Sequence, residues 1–411
     1  MKRKSLWSKN YSLLTLATVM GAAGGIAGNY ALSFLVYDET GSTLAAGLLR
    51  AIRVIPQFFL PIIIAPLMDR LPRKPFLVGG DVIAGILYAF AGLYLINYSF
   101  SYVGYLLFSL ILACIGSLDS LAYNSIFPKI IPEGFEEKGY SVSGMLYPIM
   151  NVLIMPVAAV LMDTIGTANI LLMQSALSIL AAIIESRIKI KETIRKSMEF
   201  TGISLWWNDF CDGFRFLKGE KGLLNIYTYM AVTNGAAMGY SPILVAFFRT
   251  APGFSALMYS FFSVAEFAGR TLGGLFQYHV RIPDKKKFGF AFLVYQIYDI
   301  MDMILLWIPY PFMLINRGIC GFLGINSATV RAAAVQKYLP EEYRARVNAV
   351  QEAAISAIGS ILALVIGAAG EFLTHRSIIS IFALLCVIVC WLTIWRGRNS
   401  VREIYEGRQD T

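Results

Sequence analysis

The chain has 411 residues, of which 57% are hydrophobic and only 15% charged, well below the roughly 25% charged residues of soluble domains. That balance excludes a soluble enzyme and identifies an integral membrane protein. The formal net charge of +9 does not mark a nucleic-acid surface, because 29 of the 35 Lys and Arg residues fall in the N-terminal tail, alternate loops and the C-terminal tail. Cations distributed in this way follow the positive-inside rule.

Twelve apolar segments are expected to cross the membrane, at 12–36, 44–68, 75–97, 102–127, 140–163, 167–187, 222–248, 254–278, 288–307, 310–331, 346–371 and 376–396. Each is long enough for a hydrocarbon core about 30 Å thick. An even number of spans with basic tails places both termini in the cytoplasm. The first span carries Gly21, Gly24, Gly25 and Gly28, small residues four apart that let helices approach closely. Asn29, Tyr30 and Phe34 follow on the same span as candidates for a substrate cavity. Arg53 lies within the second span. That span ends in Asp69, Arg70, Arg73 and Lys74, with Pro72 and Pro75 beside them. Four charges cannot remain in hydrocarbon, so the chain is expected to leave the bilayer there and turn back.

Asp119 lies in the fourth span, with Tyr123 and Asn124 nearby, and Tyr147 lies in the fifth. Between the halves, Trp206, Phe210, Phe214 and Leu217 recur at helical spacing, as in an amphipathic helix on the inner membrane surface. Asn234 and Tyr240 mark the seventh span as a cavity element. Glu266 and Arg270 stand one turn apart in the eighth span and are expected to pair along the helix. Asp299 and Asp302 stand three apart in the ninth. Neighbouring carboxylates favour proton uptake by one of them, and exposure to water near the outer end is the alternative. Arg317 has no partner nearby in sequence and needs one from another helix or from an anionic ligand. Asn326, also on the tenth span, completes the cavity candidates. For proton coupling the candidates are Asp119, Glu266, Asp299 and Asp302, with Asp119 preferred and Arg53 its conceivable partner.

The halves read as a duplication. Lys129, Pro132 and Glu133 match Lys337, Pro340 and Glu341 at a constant offset of 208. The expected architecture is therefore all-α, with twelve transmembrane helices in two pseudo-symmetric six-helix bundles. Residues 1–188 form the first bundle, 189–221 the cytoplasmic linker and 222–411 the second bundle. Internal duplication around a central site is a transporter architecture.

Taken together, these residues resemble the major facilitator superfamily. Asp69, Arg70, Arg73 and Lys74 match its loop signature after the second span, while Ala65 and Pro72 replace two glycines. The linker from Trp206 to Leu217 resembles the macrolide-efflux branch of drug/proton antiporters. The fifth-span antiporter glycines are missing, with Pro156 and Ala159 retained. The resemblance implies alternating access, with Asp69, Arg70, Arg73 and Lys74 as a gating loop. It also implies proton-coupled efflux of small amphipathic drug- or macrolide-like compounds across the plasma membrane. The alternatives are a lipid or siderophore exporter of the same fold, and a non-transporting membrane partner or sensor. The expected partners are a small-molecule substrate, protons and the lipid bilayer, with no nucleic acid, in a monomer. No catalytic residues, metal or cofactor are expected. The chain has no phosphate-binding Gly-rich loop, and His279 and His375 fall at opposite membrane ends. None of the five cysteines falls in an outer loop.

Overall fold

The structure, a computed structural model, describes residues 5–68, 71–190, 202–280 and 282–407. Thirteen α-helices are present among them: α1 Lys9–Thr40, α2 Thr43–Met68, α3 Lys74–Asn97, α4 Tyr102–Ile130, α5 Glu136–Ser186, α6 Gly202–Gly219, α7 Lys221–Thr250, α8 Ala256–His279, α9 Lys287–Ile304, α10 Tyr310–Tyr338, α11 Glu341–Ala369, α12 His375–Cys390 and α13 Arg398–Glu406. Ten helical segments are long and apolar enough to cross a membrane.

Local chemistry sets where the helices begin. The hydroxyls of Ser8, Ser101, Ser255 and Thr374 accept a backbone N–H from the first turns of α1, α4, α8 and α12. Each satisfies a donor that the helix itself leaves open. Pro75 occupies the first turn of α3, where its missing N–H costs nothing. α5 is unbroken by its hydrogen bonds, but Gly166 has φ 81° and ψ 162°. Only glycine takes that conformation readily, so the chain turns at the connection expected between the fifth and sixth segments. α8 has the length of a span but is not among the ten, since its Glu266 and Arg270 dilute the apolar run.

The duplication extends to element boundaries. α4 runs Tyr102–Ile130 and α10 Tyr310–Tyr338, so both ends are displaced by 208 residues. Ile131 and Leu339, the residues that follow, share nearly the same backbone angles, φ −68° and ψ 127° against φ −69° and ψ 127°.

The chain divides into two units, the first comprising residues 1–41 and 52–203, the second 42–51 and 204–411. In the first unit α5 packs on α1 and α3. Its core includes Tyr11, Leu14, Ile126 and Ile188 near one end, and Leu32, Tyr88, Phe108 and Leu171 near the other. Of the glycine stripe, Gly24 meets Gln174 of α5 and Gly28 lies near Tyr88 and Gln174, whereas Gly21 and Gly25 face open space. Half of the stripe thus serves helix contact.

In the second unit α7 packs on α11 and α12, and α8 on α10. The α8–α10 contact is close enough that a Cβ on Gly269 would collide with the backbone of Gly318. The linker helix α6 buries Leu217 and packs Phe210 on the core of this unit. Phe216 of α6 stacks on Tyr343 of α11 at 4.5 Å, and a Cβ on Gly213 would lie 2.9 Å from the Arg346 backbone. Phe214, on the expected apolar face, is exposed, and the Trp206 side chain lies outside the described residues. Both units leave large apolar side chains uncovered, among them Phe90 at 68% and Phe312 at 58% exposure, as hydrocarbon-facing helices do.

Candidate functional site

Charged side chains inside apolar helices are costly unless compensated, so each needs partners from neighbouring groups. In the first unit, Arg53 of α2 bonds the Asn29 carboxamide oxygen of α1 through one guanidinium nitrogen. Its other terminal nitrogen donates to the Ser109 hydroxyl of α4 at 3.1 Å. Three helices meet at this cation, and Tyr88 is within its electrostatic reach. Tyr30 and Phe34 lie on α1 nearby in sequence, both buried and with rings 5.0 Å apart.

Asp119 of α4 has other company. A Cβ on Gly80 of α3 would lie 3.7 Å from the Asp119 Cβ. Asp81 of α3 and Glu185 of α5 are close enough for their charges to interact with that of Asp119. The Asp119 Oδ1 and Glu185 Oε2 atoms are buried and have no hydrogen-bond partner. The sequence pointed to Asp119 alone; the structure adds Asp81 and Glu185, three acids from three helices. Among the described residues, no set of three His, Cys, Asp or Glu side chains is arranged to hold a metal ion.

The turn after α2 is described only in part. Asp69 and Arg70 lie outside the described residues. Arg73 precedes α3, and the Lys74 ammonium donates to the Ser186 carbonyl at 2.6 Å, tying the start of α3 to the end of α5.

In the second unit Asp299 and Asp302 of α9 are 3% and 6% exposed. This corrects the alternative of water exposure near the outer end: the helix turns both inward. Asp302 forms an ion pair with Arg317 of α10, which supplies the cross-helix partner that Arg317 lacked in sequence. The guanidinium also donates to the Asn316 carboxamide at 3.1 Å. Asp299 Oδ2 accepts from the Tyr229 hydroxyl of α7 at 3.0 Å. Tyr240 is buried on α7, within electrostatic reach of both acids. Glu266 and Arg270 pair along α8 at 2.8 Å, as their spacing implies.

The remaining cavity candidates are dispersed. The Tyr123 hydroxyl lies 3.2 Å from that of Ser143, and Tyr147 is exposed. Asn234 donates to the Met230 carbonyl of its own helix. Asn326 is fully buried and donates to the Gly273 carbonyl at 3.2 Å, which ties α10 to α8.

Ten membrane-length helical segments, charges buried within them and a duplicated helix order define a multi-pass membrane transporter. Residues 13–298 match the model of the Major Facilitator Superfamily. The chain belongs to that superfamily and is a secondary transporter. Solved structures share the fold at low sequence identity. A variant of the nucleoside transporter NupG superposes with a TM-score of 0.73 at 12% identity, over 94% of this chain and 99% of that one. The peptide transporter POT, as a variant bound to alafosfalin, gives 0.73 at 10% identity over 98% of each chain. A bacterial homologue of the lysosomal transporter Spinster, inward-facing and occupied, gives 0.70 at 15% identity over 96% and 97%. No curated protein matches the sequence.

Proposed function

We propose that this protein is a proton-coupled exporter of small amphipathic compounds, of drug or macrolide type, working by alternating access. Its twelve spans form two six-helix bundles, 1–188 and 222–411, joined by the linker 189–221. It acts as a monomer in the plasma membrane with both termini cytoplasmic and Asp69, Arg70, Arg73 and Lys74 as the gating loop. One observation carries the coupling assignment. Asp299 is buried in a span and accepts a hydrogen bond from a neutral phenol, while its neighbour Asp302 is already paired with Arg317. A carboxylate whose charge is costly when buried, and relieved when water or a cation reaches it, gains and loses a proton as access alternates. Asp119, with Asp81 and Glu185 beside it, is the candidate of the first unit.

The test is transport by Asp299→Asn in proteoliposomes, with a panel of labelled amphipathic compounds and an imposed proton gradient. Substrate movement that no longer responds to the gradient, with facilitated exchange retained, is the expected result. A variant that still accumulates substrate against its gradient overturns the assignment. Wild-type protein that moves no compound and no protons favours a non-transporting sensor.

A second reading has its own observation. Arg53 places a cation among Asn29, Ser109 and Tyr88 inside apolar helices, which suits an anionic headgroup and favours a lipid or siderophore exporter. Competition of transport by anionic but not neutral amphiphiles separates the two.

A further inference from the structure

The C-terminal helix α13 is short and polar on one side, yet it is built into the second unit. Val401, Ile404 and Tyr405 are buried. A Cβ on Gly222 of α7 would lie 2.5 Å from the Ser400 carbonyl oxygen, so the two helices touch backbone to backbone. The Tyr405 hydroxyl lies 2.7 Å from that of Tyr295 on α9, in a hydrogen bond buried from solvent. The Tyr295 ring packs on the Tyr229 ring with centroids 4.7 Å apart and planes tilted by 54°. Tyr229 in turn donates to Asp299 at 3.0 Å. All four side chains are buried. The chain of contacts therefore runs without a gap from α13 to the carboxylate.

We propose that Tyr405 is a positioning residue for proton coupling: through Tyr295 and Tyr229, α13 holds the hydrogen bond on Asp299. This rests on the assignment of Asp299 as the coupling carboxylate. Tyr295 lies one helical turn before Asp299 on α9, so a shift of its ring moves the surface on which Tyr229 rests. The Tyr229 hydroxyl stabilises the ionised carboxylate by donating to it, and a donor held less firmly stabilises it less.

Other groups also face Asp299. Asp302 lies on its own helix, compensated by Arg317 of α10. Tyr229 and Tyr240 approach from α7, Cys320 from α10, and Cys386 and Cys390 from α12. Arg331 of α10 lies beside Tyr295, Tyr405 and Tyr229. Burial, followed by the neighbouring Tyr295, holds the Tyr405 phenol well above its ordinary value of 10.0. Tyr405 thus remains a neutral hydroxyl and does not itself titrate in the working range.

The experiment uses the full chain in proteoliposomes and a labelled amphipathic compound that the wild type transports. It reads the pH profile of proton-driven transport alongside substrate exchange at zero gradient. Tyr405→Phe keeps the ring and removes the hydroxyl. Its pH midpoint is expected to move up by about half a unit, because a donor held less firmly stabilises the ionised carboxylate less. The exchange rate stays at the wild-type level. Tyr295→Phe, which also removes a hydrogen bond with Arg331, gives at least that shift, and the double variant shifts no further than Tyr295→Phe, because the hydroxyl pair is a single link. Unchanged midpoints in both single variants, beside an Asp299→Asn variant that has lost its proton response, overturn the role of α13 and leave the carboxylate assignment standing. An Asp299→Asn variant that keeps the response overturns the assignment, and the role of Tyr405 with it.

Discussion

In the first unit, Asp119 and Glu185 each keep an oxygen buried with no hydrogen-bond partner, and Asp81 adds a third negative neighbour. Among the described residues no ion pair reaches any of the three. The second unit also buries acids, but there Asp302 is held by Arg317 and Asp299 by Tyr229. The contrast shows that burial alone does not define what an acid does in a membrane helix. Where a cation is built in, the acid is half of a neutral pair, and removing it strands the other half. Where none is built in, neutralising the acid strands nothing.

The largest expected effect follows from the paired side. Asp302→Asn leaves the Arg317 guanidinium buried without its counter-charge, which destabilises by about 3–5 kcal/mol. Thermal unfolding in detergent measures it, as a lower midpoint or loss of folded protein. Adding Arg317→Gln to the same chain should recover most of the loss. A single variant as stable as the wild type would show that other groups around Arg317, such as Asn316, carry the compensation.

Much of the fold was legible in the sequence because bilayer thickness and backbone satisfaction leave few options. The matches at Lys129 and Lys337 foreshadowed two helices displaced by 208 residues at both ends. The break expected between the spans 140–163 and 167–187 holds Gly166, whose backbone angles no other residue takes easily. The Glu266–Arg270 pair was legible because both residues lie on one helix with fixed geometry. Asp302–Arg317 was not, since the pairing depends on how α9 rotates against α10. Asp81 is a lone acid in the third apolar run, so the rule that found Asp119 applies to it as well. Glu185 falls near the end of the sixth run, where a small boundary shift separates a solvated acid from a buried one. Tyr229, Tyr295 and Tyr405 carried no signal at all. In a chain with 22 tyrosines, only three-dimensional contact distinguishes a positioning phenol from a packing one.

Glu371, just after α11, supplies a third environment and a smaller effect. It is exposed, and its Oε1 accepts from the Ser42 hydroxyl at 2.8 Å, the Leu44 N–H at 3.0 Å and the Thr43 hydroxyl at 3.2 Å. Residues 42–51, the start of α2 among them, belong with the second unit. Partial burial raises the Glu371 carboxyl, but donation from Leu44, Ser42 and Thr43 outweighs it, and the group ends below its ordinary value of 4.5. A lowered folded value means that the stabilisation is fully present above the unfolded value and is lost as pH falls through the folded one. Glu371→Gln should therefore cost about 0.5–1 kcal/mol, the scale of an acid at an exposed helix N-terminus. The difference from wild type should hold constant from neutral pH to about 5. It should disappear only in stronger acid. A difference that instead fades between pH 8 and 6 would place the titrating group elsewhere.

The smallest expected effect decides the comparison. Glu185→Gln retains the size and shape of a side chain that is 5% exposed. It removes a titratable group without stranding a counter-charge, since the neighbouring ionisable groups, Asp81 and Asp119, are acids too. The introduced amide inherits a position at which the carboxylate already left Oε2 without a partner, so no satisfied hydrogen bond is lost there. Stability should stay within about 0.5 kcal/mol of wild type, because the exchange keeps the shape and breaks no packing or pairing, the mechanisms behind large losses. Measured in the same detergent as Asp302→Asn, the two isosteric amides should differ in unfolding midpoint by most of the ion-pair penalty. Equal losses for the two would mean that the first unit holds its acids as tightly as the second, and the contrast between the units would fall.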